Sequence, residues 1–376
     1  MPWRRRAPRT PEAEAQYQAS QWRLVWWKFS RHHLAVISLW VLVAFYLTVI
    51  LADVLAPYDP RRMDTRYVES PPSSVHFVDA EGHFHLRPFV YDYTRTMDPE
   101  SLRMVYVEDT ARPHAFRLFT RGDRYRFLGL FESDVHLLGL ADPEARFYLF
   151  GADRSGRDLL SRIIHGSRIS LTIGLIGVAV SFVLGITLGG VSGYYGGRTD
   201  VVIQRIIEFL RSVPTLPLWM ALSASLPPNW PVTRVYFGIV IILSLFSWTT
   251  LARVVRGKFM SLRQEDFAMA ARLDGEGDAA IIFRYLLPSF FSHVIASLSL
   301  SLPAMILGET SLSFLGLGLQ APAISWGVLL KDAQAIQALA QMPWLLLPGL
   351  FVVLVILAFN FVGDGLRDAA DPYARV

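Results

Sequence analysis

From position 34 to 52 the chain reads LAVISLWVLVAFYLTVILA, nineteen residues with no charged side chain. As a helix rising 1.5 Å per residue, such a run covers roughly 30 Å, the thickness of the hydrocarbon core of a bilayer. We therefore assign a transmembrane helix to residues 34–56. Some thirty polar or mixed residues come first and no small-residue cleavage site follows a short apolar core, so the run is expected to be retained rather than removed as a signal peptide. Composition agrees with membrane residence. Apolar side chains make up 52% of the 376 residues, and the mean hydropathy of +0.34 is high for a water-soluble domain of this size. The net charge of +4 and pI near 9.3 are a mild excess whose placement matters more than its size, and they do not argue for nucleic acid. The absence of cysteine excludes disulfides, thiol chemistry and cysteine-ligated metal.

Five further apolar blocks, 170–195, 201–226, 235–254, 290–318 and 343–363, bring the expected number of spans to six. In the first of these, Gly185, Gly189 and Gly193 form a stripe that lets a neighbouring helix approach closely in lipid. Before residue 34, Trp22, Val25, Trp26 and Phe29 recur at helical spacing among Arg23, Lys28 and Arg31, as in an interfacial amphipathic helix or a solvated lead-in. Residues 57–150 differ from all of this. Short alternating runs such as HFVDAEGHFHL (76–86) and HAFRLFTRGDRYRFLGLF (114–131), broken by turn signals, predict a small antiparallel β-rich unit outside the membrane.

Lys and Arg in short loops set the expected orientation. Arg4 to Arg6, Arg23, Lys28 and Arg31 precede the first span, Arg198 follows the second, Arg253, Arg256, Lys258, Arg263 and Arg272 follow the fourth, and Arg367 follows the sixth. All lie on one side, against Arg234 and Lys331 on the other. This predicts cytoplasmic termini, a cytoplasmic loop at 255–290 and an outward-facing 57–150 unit.

Within that loop, DFAMAARLDGEGDAAIIFRYLLP (266–288) predicts two short helices bent at glycine. Ser261 with Gln264 forms a candidate capping box, Phe267, Ala270 and Ala271 an apolar face, and Gly275 with Gly277 a stop. A second helix at roughly 278–286 runs into Pro288, expected in the first turn of the next span. Glu265, Asp266, Arg272 and Asp274 offer charge at the rim of the alanine face.

The spacing of Ala270, Ala271, Gly275, Leu287 and Pro288 resembles the motif of the membrane subunits of ABC importers, although Met269 stands where that family has Glu and Tyr285 where it often has Ile. GADRSGRDLLSRIIHGSRISLTIG (151–174), GYYGGRTD (193–200), SLSFLGLGLQAPAISWG (311–327) and NFVGDGLRDAADP (360–372) are similar to the second permease of the dipeptide/oligopeptide/nickel branch. The resemblance covers residues 151–376, with Ala152 where the family has Thr. It implies a heterodimer with a second permease subunit, ATP-binding subunits docked on the 255–290 loop through Glu265, Asp266, Phe267, Ala270, Ala271, Arg272, Gly275, Leu287 and Pro288, and an extracytoplasmic solute-binding protein. It implies cargo of peptides or similar small solutes, and no cofactor.

No G-x-x-x-x-G-K-[ST] phosphate loop is present, since Gly257-Lys258 is followed by Phe259, so nucleotide must be hydrolysed by partner subunits. Glu309 falls inside an apolar block, where an exposed charge would cost about 2.5 to 3.5 kcal/mol. It is either a pathway or gating residue or a carboxylate near the outer interface bonded to backbone or to Ser and Thr neighbours. Arg205, Glu208 and Arg211 are read as intrahelical pairs. His76, His83 and His85 are read as surface residues rather than a metal site, and Asp153, Arg157, Asp158 and Arg162 as a salt-bridge network. Residues 319–342 are read as a short external element lying on or dipping into the outer interface, with Trp326 as its candidate anchor.

The expected architecture is an all-α membrane core of six spans with a small extracytoplasmic β-rich insertion, in a bacterial inner membrane. Its parts are an N-terminal segment (1–33), the first span (34–56), the insertion (57–150) and the permease core (151–376). A secondary transporter or channel would carry ionisable residues in several spans, and an envelope scaffold would place its chemistry in residues 57–150.

Overall fold

The computed structural model describes residues 21–97, 99, 104–142 and 144–370; Arg4 to Arg6 lie outside these. Helix α1 (Gln21–Ser30) leads to α2 (His33–Ile50) and a single turn, α3 (Ala52–Leu55). After the β-rich stretch come α4 (Leu159–Tyr195), α5 (Gly197–Ser212), α6 (Thr215–Ala224) and α7 (Val232–Leu262). The loop that follows holds α8 (Asp266–Leu273), α9 (Asp278–Ala280), a π-helical stretch (Ile281–Leu286) and α10 (Leu287–Ser289). Next are α11 (Phe291–Ser299), α12 (Leu302–Phe314), the short α13 (Trp326–Lys331) and α14 (Ile336–Gln341), and α15 (Leu347–Ala370). Among the described residues five helical runs are long and apolar enough to cross a membrane: α2, α4, α7, Phe291–Phe314 and Pro343–Ala370.

The centre of the bundle is the parallel pair of α4 and α7. Along α4, Thr172 accepts from the Tyr236 hydroxyl (3.0 Å), and the Gly177 carbonyl accepts from the Ser244 hydroxyl (3.1 Å). Farther down, the glycine stripe meets the partner backbone. A Cβ on Gly189 would lie 2.4 Å from the Ala252 carbonyl oxygen, and one on Gly193 would lie 2.6 Å from that of Arg256. Only hydrogen fits there, which is why small residues are placed where two helices touch. Because α4 and α7 run the same way, the chain must travel back the length of the bundle between them, and α5 and α6 make that return.

This return departs from the single helix expected at 201–226. Pro214 lacks an N–H and disfavours helix at the preceding residue, so the block breaks at Val213–Pro214 into an amphipathic α5 and a ten-residue α6. Within α5, Arg205 pairs with Glu208 (2.8 Å), whereas Arg211 instead reaches Thr250 on α7 (3.3 Å). At the other end of the chain, Phe29 of α1 is buried where Gly365 of α15 leaves room, so the N-terminal helix packs on the bundle through that face.

Trp326 corrects a second expectation. It is 0% exposed, its indole N–H donates to the Ile163 carbonyl (3.0 Å), and its ring lies edge-on to Phe45, so it is a core residue and no interfacial anchor. The part of the 319–342 element around Trp326 is therefore packed into the helices, while Ile336 farther along is 84% exposed.

Between α3 and α4 the chain forms a four-stranded antiparallel sheet, β1 (His76–Val78), β2 (Phe84–Met97), β3 (Met104–Phe127) and β4 (Phe131–Leu140), in sequential order. Its base is closed by Ser73, whose N–H donates to the Tyr148 carbonyl (2.8 Å) and whose hydroxyl accepts from the Tyr148 N–H (2.9 Å). His76 lies 3.0 Å from Glu108 and His85 2.8 Å from Asp79, and among the described residues no three side chains converge as metal ligands. Asp153 binds Arg157 (2.7 Å) and Arg162, and Asp332 approaches Arg162 (3.6 Å). Asp158 stands apart from that network as the N-cap of α4, accepting from the Ser161 N–H (2.8 Å).

Candidate coupling site

The loop after α7 has a small core of its own. Ala268 and Ala271 of α8 are buried with Ile281 and Leu286 of the π stretch against Val255 and Phe259 of α7 and Val294 of α11. The expected capping box does not form. The apolar pattern of α7 continues through buried Phe259, so Ser261 stays inside that helix and Glu265 becomes the N-cap of α8, with no side-chain bond. The stop is as expected. Gly275 has φ +81°, the Glu276 N–H donates to the Ala271 carbonyl (3.1 Å) and the Gly275 N–H to the Arg272 carbonyl (3.1 Å), a Schellman arrangement. At the far end the Leu287 N–H reaches back five residues to the Ile282 carbonyl, and exposed Pro288, with no N–H, follows it.

The two candidate alanines point in opposite directions. Ala271 faces inward, and Ala270 faces out with Glu265, Asp266, Phe267 and Arg272; Leu287 is half-buried. Met269 and Leu273 complete the outer stripe, and Leu273, which the motif does not mark, is 88% exposed. The signal was there in the spacing of Asp266, Met269, Ala270 and Leu273, which share one helix face at i, i+3, i+4 and i+7.

Tyr194, at the last turn of α4, fastens this loop to the bundle. Its hydroxyl donates to Asp278 (2.6 Å), the Arg272 guanidinium lies 5.2 Å from its ring centroid, and its carbonyl accepts from Arg263 (2.8 Å). Beside it, Asp200 at the start of α5 takes both arms of the Arg256 fork (2.5 and 2.6 Å) and the Ser192 hydroxyl (2.5 Å). The hydrogen-bonded Arg256 holds the Asp200 carboxyl below the usual carboxylate range. The ends of α4, the start of α5, the end of α7 and the loop are thus one hydrogen-bonded unit.

Near the opposite end of α4 lies Glu309, 0% exposed. Its carboxylate accepts from the hydroxyls of Ser313 (2.8 Å), Ser325 (2.7 Å) and Ser170 (3.3 Å). Each serine in turn accepts a backbone N–H, from Leu319, Val328 and Trp326 respectively. One carboxylate therefore gathers α4, α12 and the start of α13 without a cationic partner among the contacts it makes.

Two family descriptions match this chain. "N-terminal TM domain of oligopeptide transport permease C" matches residues 20–72, and "Binding-protein-dependent transport system inner membrane component" matches residues 185–376, which contain the whole loop and Glu309. The chain belongs to that second family. Relatives include the oligopeptide transport system permease protein OppC of Escherichia coli K12, 43% identical over 65% of this chain and 78% of its own length. The OppC of Haemophilus influenzae is 40% identical over 65% of this chain and 76% of its own, and the dipeptide permease DppC of Alkalihalophilus pseudofirmus 39% over 62% and 74%. Among solved structures, the inward-facing MetNI methionine ABC transporter is similar over 57% of this chain and 98% of that chain, at 18% identity and a TM-score of 0.43. The permease is thus a multi-pass inner-membrane component of an ABC transporter, and ATP hydrolysis falls to separate subunits. Its β-sheet lies in the interval, residues 73–184, that neither family description covers.

Proposed function

We propose that this permease is one half of a heterodimeric membrane core of an importer for peptides or similar small polar solutes, energised by ATP-binding subunits that dock on α8. The carrying observation is the loop's construction: a short helix with an exposed stripe outside and a private core inside, bolted through Tyr194 to α4. Such a helix can be pushed as a rigid body and pass the motion to α4, α7 and α11. Closing a partner groove over Leu273 would bury an apolar side chain worth about 1.5 to 3 kcal/mol.

The proposed topology has six crossings, with α5 and α6 together making the third. Arg198, Arg256, Arg263 and Arg272 gather at the end of the bundle where α8 sits, and by the positive-inside rule that end is cytoplasmic. The termini then lie inside, and residues 57–150 lie outside, within reach of a solute-binding protein and the second permease. We read Glu309 as a fastening for the 319–342 element rather than a surface of the translocation path, because no part of it is exposed.

Co-purification with the ATP-binding subunits tests the assignment. Ala270→Arg or Leu273→Arg should remove those subunits while leaving the permease in the membrane. Gly275→Pro should uncouple hydrolysis from uptake, since proline cannot adopt φ +81°. Reporter fusions that place 264–288 on the external face would end the proposal.

A further inference from the structure

We propose that the tip of the β3–β4 hairpin, Phe127 to Phe131, is a membrane anchor that sets its apolar side chains into the lipid leaflet at the α3 end of α2. This rests on the reading of α2 as a membrane-crossing helix.

The tip is chemically unlike an ordinary hairpin turn. It reads Phe-Leu-Gly-Leu-Phe, with Leu128 53%, Leu130 75% and Phe131 68% exposed. Leu128 and Gly129 both take positive φ, +49° and +76°, a pair of positions where Asn-Gly or Asp-Gly fits with least strain. A leucine there bears a backbone penalty that a polar residue would lower. In water both the strain and the exposure are unfavourable. In the interfacial layer of a bilayer the burial of each Leu or Phe side chain is favourable.

Position supplies the second, independent observation. His136, higher on β4, has Nδ1 2.5 Å from the Ala56 carbonyl oxygen, and the Leu128 N–H at the tip donates to the Asp53 carboxylate (3.4 Å). From 136 to 128 the hairpin therefore descends from Ala56 to Asp53, toward α2. Asp53 is itself fixed, gripped by both arms of Arg168 on α4 (2.8 and 2.9 Å), whose Nε also donates to the Val49 carbonyl (2.9 Å). These contacts set the tip at the level where the apolar run of α2 ends. The exposed face of α2, with Trp40, Leu47 and Ile50, continues up to that level, so the tip extends a surface that already meets lipid. Arg124 and Arg126 precede the apolar residues on β3, and Arg126 is paired with Glu132 (3.0 Å).

The absence of cysteine from this chain makes the test position-specific. Single variants Leu130→Cys, Leu47→Cys and Met104→Cys, each carrying a nitroxide, would be placed in the assembled transporter with cysteine-free partner subunits in liposomes. Collision of the label with oxygen, which partitions into lipid, is compared with collision with a water-soluble nickel chelate. The expected result is oxygen above nickel at Leu130 and at Leu47, and the inverse ratio at Met104, on the far end of β3. Nickel above oxygen at Leu130 overturns the proposal, as does protection from both reagents, which would place the tip against the second permease or the binding protein. A water-like Leu47 would instead overturn the membrane reading of α2, and the anchor with it; a lipid-like Leu47 beside a water-like Leu130 removes the anchor alone.

Discussion

At the scale of single residues, Tyr194 separates two roles that one side chain performs. Tyr194→Phe removes the hydroxyl bond to Asp278 and keeps the ring under Arg272, whereas Tyr194→Ala removes both. A hydrogen bond to a charged group contributes about 1.5 to 3 kcal/mol, and an exposed cation–π contact about 0.5 to 1 kcal/mol. The expected outcome is graded loss of uptake per ATP hydrolysed, Phe less severe than Ala, with the ATP-binding subunits still bound; equal coupling in all three would show that the loop is held elsewhere. Asp200 gives a pH statement. Its folded pKa is depressed, so its contribution is present above the unfolded value and lost only as pH falls through the folded one. The clamp should thus be constant from about pH 5 to 8, above the ordinary carboxylate pKa of about 3.9, and Asp200→Asn should shift coupling equally across that window. Glu309→Ala strands three serine hydroxyls in a buried site, at about 1 to 3 kcal/mol for each one left unpaired. A thermal melt of the purified complex should fall by several degrees. The sequence offered Glu309 only as a pathway residue or one bonded to Ser and Thr neighbours; the spacing to Ser313 was visible, but Ser170 and Ser325 come from distant segments that only the tertiary fold brings in.

At the scale of elements, what could be read from the sequence was what local pattern determines. The Gly185, Gly189 and Gly193 stripe announced a close helix contact, and the structure supplies its partner, α7, which no local pattern names. Gly189→Leu should block that contact, because even a Cβ meets the Ala252 backbone at 2.4 Å. The variant should be lost from membranes or fail to assemble with its partners, as immunoblotting and pull-down would report. Where two elements share a pattern, spacing alone does not say which of them takes it. Ser261 and Gln264 have the spacing of a cap, yet the apolar period of α7 runs past them. The break at Pro214 was legible from proline chemistry, but the hydropathy of the whole 201–226 block concealed it. Residue type favours an interface for Trp326, while its burial depends on Phe45 and Ile163, far away in the chain.

At the scale of the whole molecule, the β-sheet and the helical bundle meet through few points. The bonds between Ser73 and Tyr148 close the base of the insertion, so a short linker joining those residues should replace what lies between them. The shortened permease should still insert, bind its ATP-binding subunits and support hydrolysis, measured in reconstituted vesicles. Failure to assemble would mean that the sheet is part of the permease's folding unit. The longest helix among the described residues reaches from the loop to the opposite end of the bundle. Helix α4 spans 37 residues, about 55 Å at 1.5 Å per residue. One tip of this rod carries the tyrosine that grips the loop, and the opposite third carries the serine and arginines that hold the carboxylates of Glu309, Asp53 and Asp153. Tilting it by a few degrees would displace its two ends in opposite directions, so the coupling loop and the Glu309 serines would move as one lever.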